Sequence, residues 1–199
     1  MADLGTLGGY QSRGAGINIL GTDYERATMW GPGGPVDLGG LSDGKWTAAC
    51  AVNDSGQMIL WGTPMGTTDP HAAFWNGDPS SPVIDLGTFG GNESWAFGLN
   101  DYGFVVGSAD EAGTGYHAFV WDGSERIDLG TLGAYYGRAY AINDQGIIVG
   151  WAMDQYAQTH AVEWVPIPEP RTILVVLLGW SLVSVGTSPR KRSLAIRSL

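Results

Sequence analysis

The chain has a single cysteine, Cys50, and that alone excludes an intrachain disulfide and any zinc cluster built on several cysteines. Basic residues are scarce as well: all 20 Asp and Glu precede Arg171, against only Arg13, Arg26, Lys45, Arg126 and Arg138, so residues 1–170 carry a net charge of −15. A body this acidic repels the phosphate backbone, and no nucleic-acid partner is expected. Long helix-period segments are missing before Pro166. So are G-x-S-x-G, H-E-x-x-H and Walker loops, which removes the common hydrolase, zinc-protease and nucleotide-binding signatures. No catalytic set, metal site or cofactor is expected.

What the sequence has instead is glycine, 32 in 199 residues, short runs rich in Val, Ile and Trp, and repetition. Asp-Leu-Gly recurs at Asp3, Asp37, Asp85 and Asp128, each time opening a glycine-rich loop. Between these markers comes a small-residue run ending in Asn, an "NDxG" turn, a β-branched run and an aromatic strand, as in "AYAINDQGIIVG" and "FGLNDYGFVVG". The aromatic strand reads "HAAFW" at His71, "HAFVW" at His117 and "HAVEW" at His160, with "RATMW" at Arg26 as a degenerate first copy. Four repeats follow, each predicted to hold four short antiparallel strands, placed in the third copy at about 93–99, 103–107, 116–121 and 125–129. Asn-Gly in "WNGD" and Asp-Gly in "WDGS" predict two-residue hairpins with positive φ. Gly14 and Gly16, Ala49 and Ala51, Ala96 and Gly98, and Ala139 and Ala141 predict a small-residue face on each innermost strand.

The fold class expected is therefore all-β: a propeller-like array of four four-stranded antiparallel blades, as a closed small ring or a partial propeller, over residues 1–165. A Pro-rich extended linker, 166–171, and one short C-terminal apolar helix with a basic tail, 172–199, complete the chain. The sequence begins inside a fourth strand and ends its last repeat after a third, so Met1 to Leu4 are expected to complete the last blade beside His160–Trp164.

"HAFVW", "DLGTLGG" and "AINDQGIIVG" resemble the HAF repeats of secreted bacterial proteins, over residues 3–165. The C-terminal segment resembles the PEP-CTERM sorting signal: Pro168, Glu169 and Pro170, then an apolar stretch from about Ile173 to Val185, then the basic stop cluster Arg190, Lys191 and Arg192. The resemblance implies a Gram-negative source and processing by an exosortase, an intramembrane transpeptidase-like enzyme of which this chain would be the substrate. The stretch 172–187 amounts to roughly 24 Å of helix, short of a hydrocarbon core of about 30 Å. Positive charge beyond it places the C-terminus in the cytoplasm and the acidic body outside. The expectation is an exported protein, anchored in the inner membrane by this helix and then passed to the surface or matrix. "MADLGTLGG" has no basic start and no apolar core, so a secretory signal is expected upstream, the chain being a fragment or its start assigned late.

His71, His117 and His160 each open the third strand of a different blade and are expected to be structural. "NDxG" is shorter than a calcium loop and is read as a turn. Cys50 shares the repeat position of Phe97 and Tyr140 and is expected in the core. Trp30, Trp75, Trp121 and Trp164 end the same strand in every repeat, as packing residues do. Candidate ligand-binding residues are those that vary between repeats where the glycine loop enters the innermost strand: Trp46, Trp95, Tyr136 and Arg138, which suit stacking on sugars and pairing with acidic groups. Ordinary surface or inter-blade packing is the alternative for all four. Two functions are open, a non-enzymatic module binding polysaccharide or a surface protein, and a polysaccharide lyase or hydrolase on the same scaffold.

Overall fold

A computed structural model describes residues 12–13, 17–20, 24–31, 34–41, 46–166 and 194–198, and among them the chain is all-β, with no α-helix. The first sheet holds β1 (Ser12–Arg13), β2 (Ile17–Leu20), β3 (Tyr24–Gly31) and β4 (Gly34–Asp37). β5 (Trp46–Val52), β6 (Met58–Thr63), β7 (His71–Trp75) and β8 (Ile84–Asp85) make the second. In the third, β10 (Val105–Glu111), β11 (Gly115–Trp121) and β12 (Arg126–Asp128) pair in order. Beside β10 runs β9 (Gly90–Leu99), joined to it where Asn100 N–H donates to the Phe104 carbonyl at 3.2 Å and Asn92 N–H to Asp110 Oδ2 at 2.9 Å. The fourth sheet is β13 (Gly133–Ile142), β14 (Ile148–Asp154), β15 (Thr159–Pro166) and β16 (Leu194–Ser198). Every pairing within a sheet is antiparallel and follows chain order.

Strand alternation explains why the middle sheets read as unbroken apolar runs. Successive side chains point to opposite faces, and both faces here are covered. Ala73 and Trp75 of β7 enter a core shared with Ala27 and Leu38 of the first repeat, while Ala72 and Phe74 enter a core shared with Val105, Phe119 and Trp121 of the third. In β10 and β11, Val106, Ala118 and Val120 pack the other way, against Ile148, Val162 and Trp164 of the fourth. Three cores thus join the four sheets in succession, and among the described residues no strand pairing joins the first sheet to the fourth.

Hydroxyl groups stitch the first two junctions. Ala27 N–H donates to Thr47 Oγ1 at 2.9 Å, and Thr47 Oγ1 donates on to the Gly39 carbonyl at 3.0 Å. Ser94 repeats this between Ala72 N–H, at 2.9 Å, and the Gly87 carbonyl, at 2.6 Å. The third junction has Gly137 at that repeat position, where a Cβ would lie 3.5 Å from the Trp151 carbonyl oxygen and 3.7 Å from Ala118 N, ordinary contact distances. Gly137→Ser is therefore expected to stabilise the chain by about 1 kcal/mol, from one restored hydrogen bond and lower unfolded-chain entropy, and Ser94→Ala to cost about 1–2 kcal/mol. Urea midpoints of the two variants check both signs.

Several expectations need correction. Closure by Met1 to Leu4 required the free edge of β15, but β16 occupies that edge in register from Val162↔Ser198 to Pro166↔Leu194, and an antiparallel edge accepts one strand. Met1 to Leu4 themselves lie outside the described residues, as do Gly14, Gly16, the Pro168–Glu169–Pro170 motif, the apolar helix and Arg190 to Arg192. The two-residue hairpins are absent: positive φ falls only on Gly77 (91°) and Gly123 (99°), while Asn76 and Asp122 accept backbone N–H groups two residues on through their side chains. The small-residue face is broken by irregular register between Ala49 and Ala51 and between Ala139 and Ala141, which leaves Ala51 and Ala141 exposed. Gly98 does meet the crowding expected of it, since a Cβ there would come 2.9 Å from the Tyr140 carbonyl oxygen.

Candidate functional site: a ring and guanidinium face on the inner strands

The repeated polar motifs are committed to structure. In three sheets the Asp of Asp-Leu-Gly ends the fourth strand and accepts the N–H of its own loop glycine: Asp37 from Gly39 at 2.9 Å, Asp85 from Gly87 at 2.7 Å, Asp128 from Gly130 at 2.8 Å. The same carboxylates reach across to the residue that opens the third strand, Arg26 at 3.7 Å, His71 Nδ1 at 3.0 Å and His117 Nδ1 at 2.8 Å. His160 Nε2 pairs with Asp154 Oδ2 at 3.0 Å at the end of β14, and His117 Nε2 likewise lies 3.5 Å from Glu111 Oε2 at the end of β10. Each histidine thus sits in its own sheet with carboxylates of that sheet, one for His71 and His160 and two for His117. Asp154 also accepts the N–H groups of Gln158 and Tyr156, and with the His160 bond these hold its carboxyl below the usual range. Among the described residues no group of three or more His, Cys, Asp or Glu could hold a metal ion.

The "NDxG" segments form the expected turns and do something further. Asn100 Oδ1 accepts Tyr102 N–H at 3.1 Å and Phe104 N–H at 2.9 Å, and Gly103 carries φ 81°. Its amide then leaves the repeat: Asn100 Nδ2 donates to the Asn143 carbonyl at 3.1 Å, as Asn53 Nδ2 donates to the Asn100 carbonyl at 2.9 Å. Alongside, Asp54 N–H donates to Asp101 Oδ1 at 3.1 Å and Asp101 N–H to Asp144 Oδ1 at 3.0 Å. The Asn-Asp turns are an inter-sheet ladder.

Cys50 is exposed, contrary to expectation, and lies at the register irregularity between Ala49 and Ala51. The protein around its sulfur nevertheless desolvates the thiol and pushes it up to about 12, a backbone hydrogen bond from Trp61 pulling the other way. An ordinary thiol near 8.5 is roughly one quarter thiolate at pH 8, whereas this one is about one part in ten thousand. Reaction with a thiol-disulfide reagent at pH 8 is expected to be orders of magnitude slower than for glutathione, as absorbance kinetics would record.

The variable positions do converge in part. Tyr136, Arg138 and Tyr140 lie on one face of β13, two residues apart, with Tyr136 and Tyr140 exposed. The Arg138 guanidinium carbon stands 5.5 Å from the Tyr116 ring centroid and 5.9 Å from that of Phe97. Phe97 packs on Tyr140 at 5.4 Å, and Trp151 Nε1 donates to the Tyr140 hydroxyl at 3.1 Å. Tyr116 in turn donates its hydroxyl to Glu93. Trp95, on neighbouring β9, meets Trp61 edge-on at 4.7 Å, and Trp61 Nε1 donates to the Ala96 carbonyl at 2.9 Å. Trp46 opens β5 opposite Thr63, in the second sheet. Tyr116 and Trp151 were not singled out from the sequence, and Phe97 and Tyr140 entered it only as sharing the repeat position of Cys50.

Among the described residues Arg138 has ring partners and no carboxylate within ion-pair distance. Arg126 is the contrast. It donates to the Thr88 carbonyl, lies 4.8 Å from the Phe89 ring centroid, and burial pulls its pKa down while Asp85 raises it. Neither arginine has an acid within ion-pair distance among the described residues, but Arg126 is a half-buried staple bonded to a carbonyl, whereas Arg138 is held by aromatic faces. Such a face can stack on a sugar ring and pair with an anionic substituent. No protein-family model and no curated protein sequence matches this chain, so the functional reading rests on the fold and on this face.

Proposed function

We propose that this chain is an exported surface or matrix repeat protein that works by binding, not catalysis, and that its ligand is an extracellular polysaccharide held on the Arg138 face. The observation that carries the reading is the Arg138 guanidinium between Tyr116 and Phe97, with no acid within ion-pair distance among the described residues, in a body of net charge −15. A cation with ring partners and, among the described residues, no acid within ion-pair distance is suited to receive an anionic group. The sheet succession supports a partial propeller-like array with the HAF-type repeat as its unit. Asp37, Asp85, Asp128 and Glu93 are all bonded to turn amides, third-strand residues or Tyr116, which leaves these carboxylates poorly placed for paired acid–base work.

The C-terminal segment supports export through the PEP-CTERM-like order of Pro168–Glu169–Pro170, apolar stretch and Arg190–Lys191–Arg192. No helix among the described residues is long and apolar enough to cross a membrane. Leu194–Ser198 docked on β15 and the same residues beyond a bilayer are alternative placements of one segment, so insertion requires β16 to leave the sheet. The test of binding is a polysaccharide array read together with product analysis on the full chain. Retention without product supports the proposal; product formation makes the chain a lyase or hydrolase and overturns it. Sorting is tested by mass spectrometry of the mature protein with and without an exosortase, where an intact C-terminus in the competent strain overturns processing.

A further inference from the structure

The Arg138 face has two ends, and acids stand at both. Tyr136, Arg138 and Tyr140 run along one face of β13, so Tyr136 and Tyr140 lie at most about 13 Å apart along the strand. Tyr116 walls the Tyr136 end, and a Cβ on Gly115 beside it would come 3.0 Å from Tyr136 Cε1. That end carries two carboxylates. Glu93 accepts the Tyr116 hydroxyl, and Asp110 stands directly opposite Tyr116 in the β10–β11 register, on the same face. Phe97 walls the other end, packed on Tyr140 at 5.4 Å. There β13 runs into the Asn-Asp ladder, where the exposed Asp144 accepts Asp101 N–H through Oδ1 at 3.0 Å.

The order along the stripe is acid, ring, cation, ring, acid. Arg138 is the only Lys or Arg on β9, β10, β11, β13 and β14, so the flanking carboxylates have no second cation on these strands. The rings either side of it are open to solvent, Tyr136 at 41 % and Tyr140 at 46 %, and offer apolar faces to a neutral sugar. For a polysaccharide laid along the stripe the consequence is positional. An acidic substituent at Arg138 is attracted, whereas acids on the sugars before and after it are carried toward Glu93 and Asp110 or toward Asp144, and salt screens such repulsion only beyond about 8 Å at physiological ionic strength.

We propose that this face selects a polysaccharide whose acidic sugars are isolated between neutral ones, and turns away chains that carry an acid on every sugar. The inference rests on the binding function proposed above and adds to it the charge spacing of the ligand. One guanidinium pairs with one anionic group, through a fork that fits a carboxylate. The sugars on either side stack on Tyr136 and Tyr140, where a neutral ring costs nothing electrostatically. A uniformly acidic chain gains the same single pair and meets like charge at both ends of the stripe, on a body that already carries −15.

The test titrates the full chain with homogalacturonan of one length in three forms: fully methyl-esterified, with scattered free carboxylates, and fully de-esterified. Carboxymethyl-dextrans of matching substitution repeat it on a second backbone. The scattered form is expected to bind several-fold more tightly than either extreme, and Arg138→Ala should bring it down to the neutral form. Asp110→Asn and Asp144→Asn keep an oxygen to accept Asn92 N–H and Asp101 N–H, and should raise affinity for the fully acidic form more than for the scattered one. Salt gives a measurement that needs no variant: rising ionic strength should strengthen binding of the fully acidic form and weaken that of the scattered form, whereas at a general polyanion site it weakens both. Affinity that climbs steadily with the number of carboxylates overturns the selection and leaves the binding function standing. Equal affinity for the neutral and scattered forms overturns the proposal too, as does retention of no form on either backbone, in which case the polysaccharide array decides the binding function by itself.

Discussion

Trp164→Ala is expected to bring the chain close to unfolding at room temperature. Trp164 is fully buried in the core between the third and fourth sheets, among Val106, Ala118, Val120, Leu129, Ile148 and Val162, and its Nε1 donates to the Leu129 carbonyl at 2.9 Å. Removing a buried tryptophan costs about 3–5 kcal/mol, and stranding the Leu129 carbonyl adds about 1–3 kcal/mol. The sum rivals the whole stability of an ordinary domain, about 5–15 kcal/mol. Trp164→Phe separates the two contributions, since it retains most of the ring contact and loses only the donor, and it should cost less than half as much. Denaturant midpoints by far-ultraviolet circular dichroism give both values. An alanine variant within 1 kcal/mol of the parent by that measure would mean that the fourth sheet is not packed on the third through this residue.

Asn100→Ala is expected to cost about 3 kcal/mol, more than either of its repeat equivalents. Asn100 is buried; its loss removes the acceptor of Phe104 N–H and the donor to the Asn143 carbonyl, at about 1–3 kcal/mol each, on two sides of a sheet junction. Asn53 makes the same bonds half-buried, at the second junction. Asn143 is exposed, and its amide folds back onto Gln145 Oε1 at 3.0 Å instead of reaching another repeat. The expected order of destabilisation is therefore Asn100, then Asn53, then Asn143. Equal losses at all three would mean that the residue serves only its own turn, and the ladder between sheets would carry no energy.

That ladder marks where sequence reading stops. Repetition located the strands of the third repeat to within about four residues, 103–107 becoming Val105–Glu111 and 125–129 becoming Arg126–Asp128, because turn chemistry is local and recurs with the motif. A repeated Asn shows that a position matters, not which neighbour its second hydrogen bond reaches. The partner lies 43 or 47 residues away and is set by how the sheets stack. Cys50 failed for a related reason: irregular register between Ala49 and Ala51 shifts the strand's alternation, and a position counted from Asn as inward points out. Of the four candidate site residues, Arg138 and Tyr136 share a strand face, and this was legible from their spacing of two. The rings that make Arg138 unusual were not, since Tyr116 comes from β11 and Phe97 from β9.

The same guanidinium offers the most direct test. In a binding titration against the polysaccharide the full chain retains best, Arg138→Ala is expected to weaken affinity at least tenfold, about 1.4 kcal/mol, with its melting temperature little changed because among the described residues its partners are rings and no acid lies within ion-pair distance. Arg138→Lys should recover only part of the loss, since an ammonium keeps the charge without the planar stacking face. If Arg138→Ala binds as tightly as the parent, the face between Tyr116 and Phe97 is ordinary packing, and the binding function proposed for it is wrong.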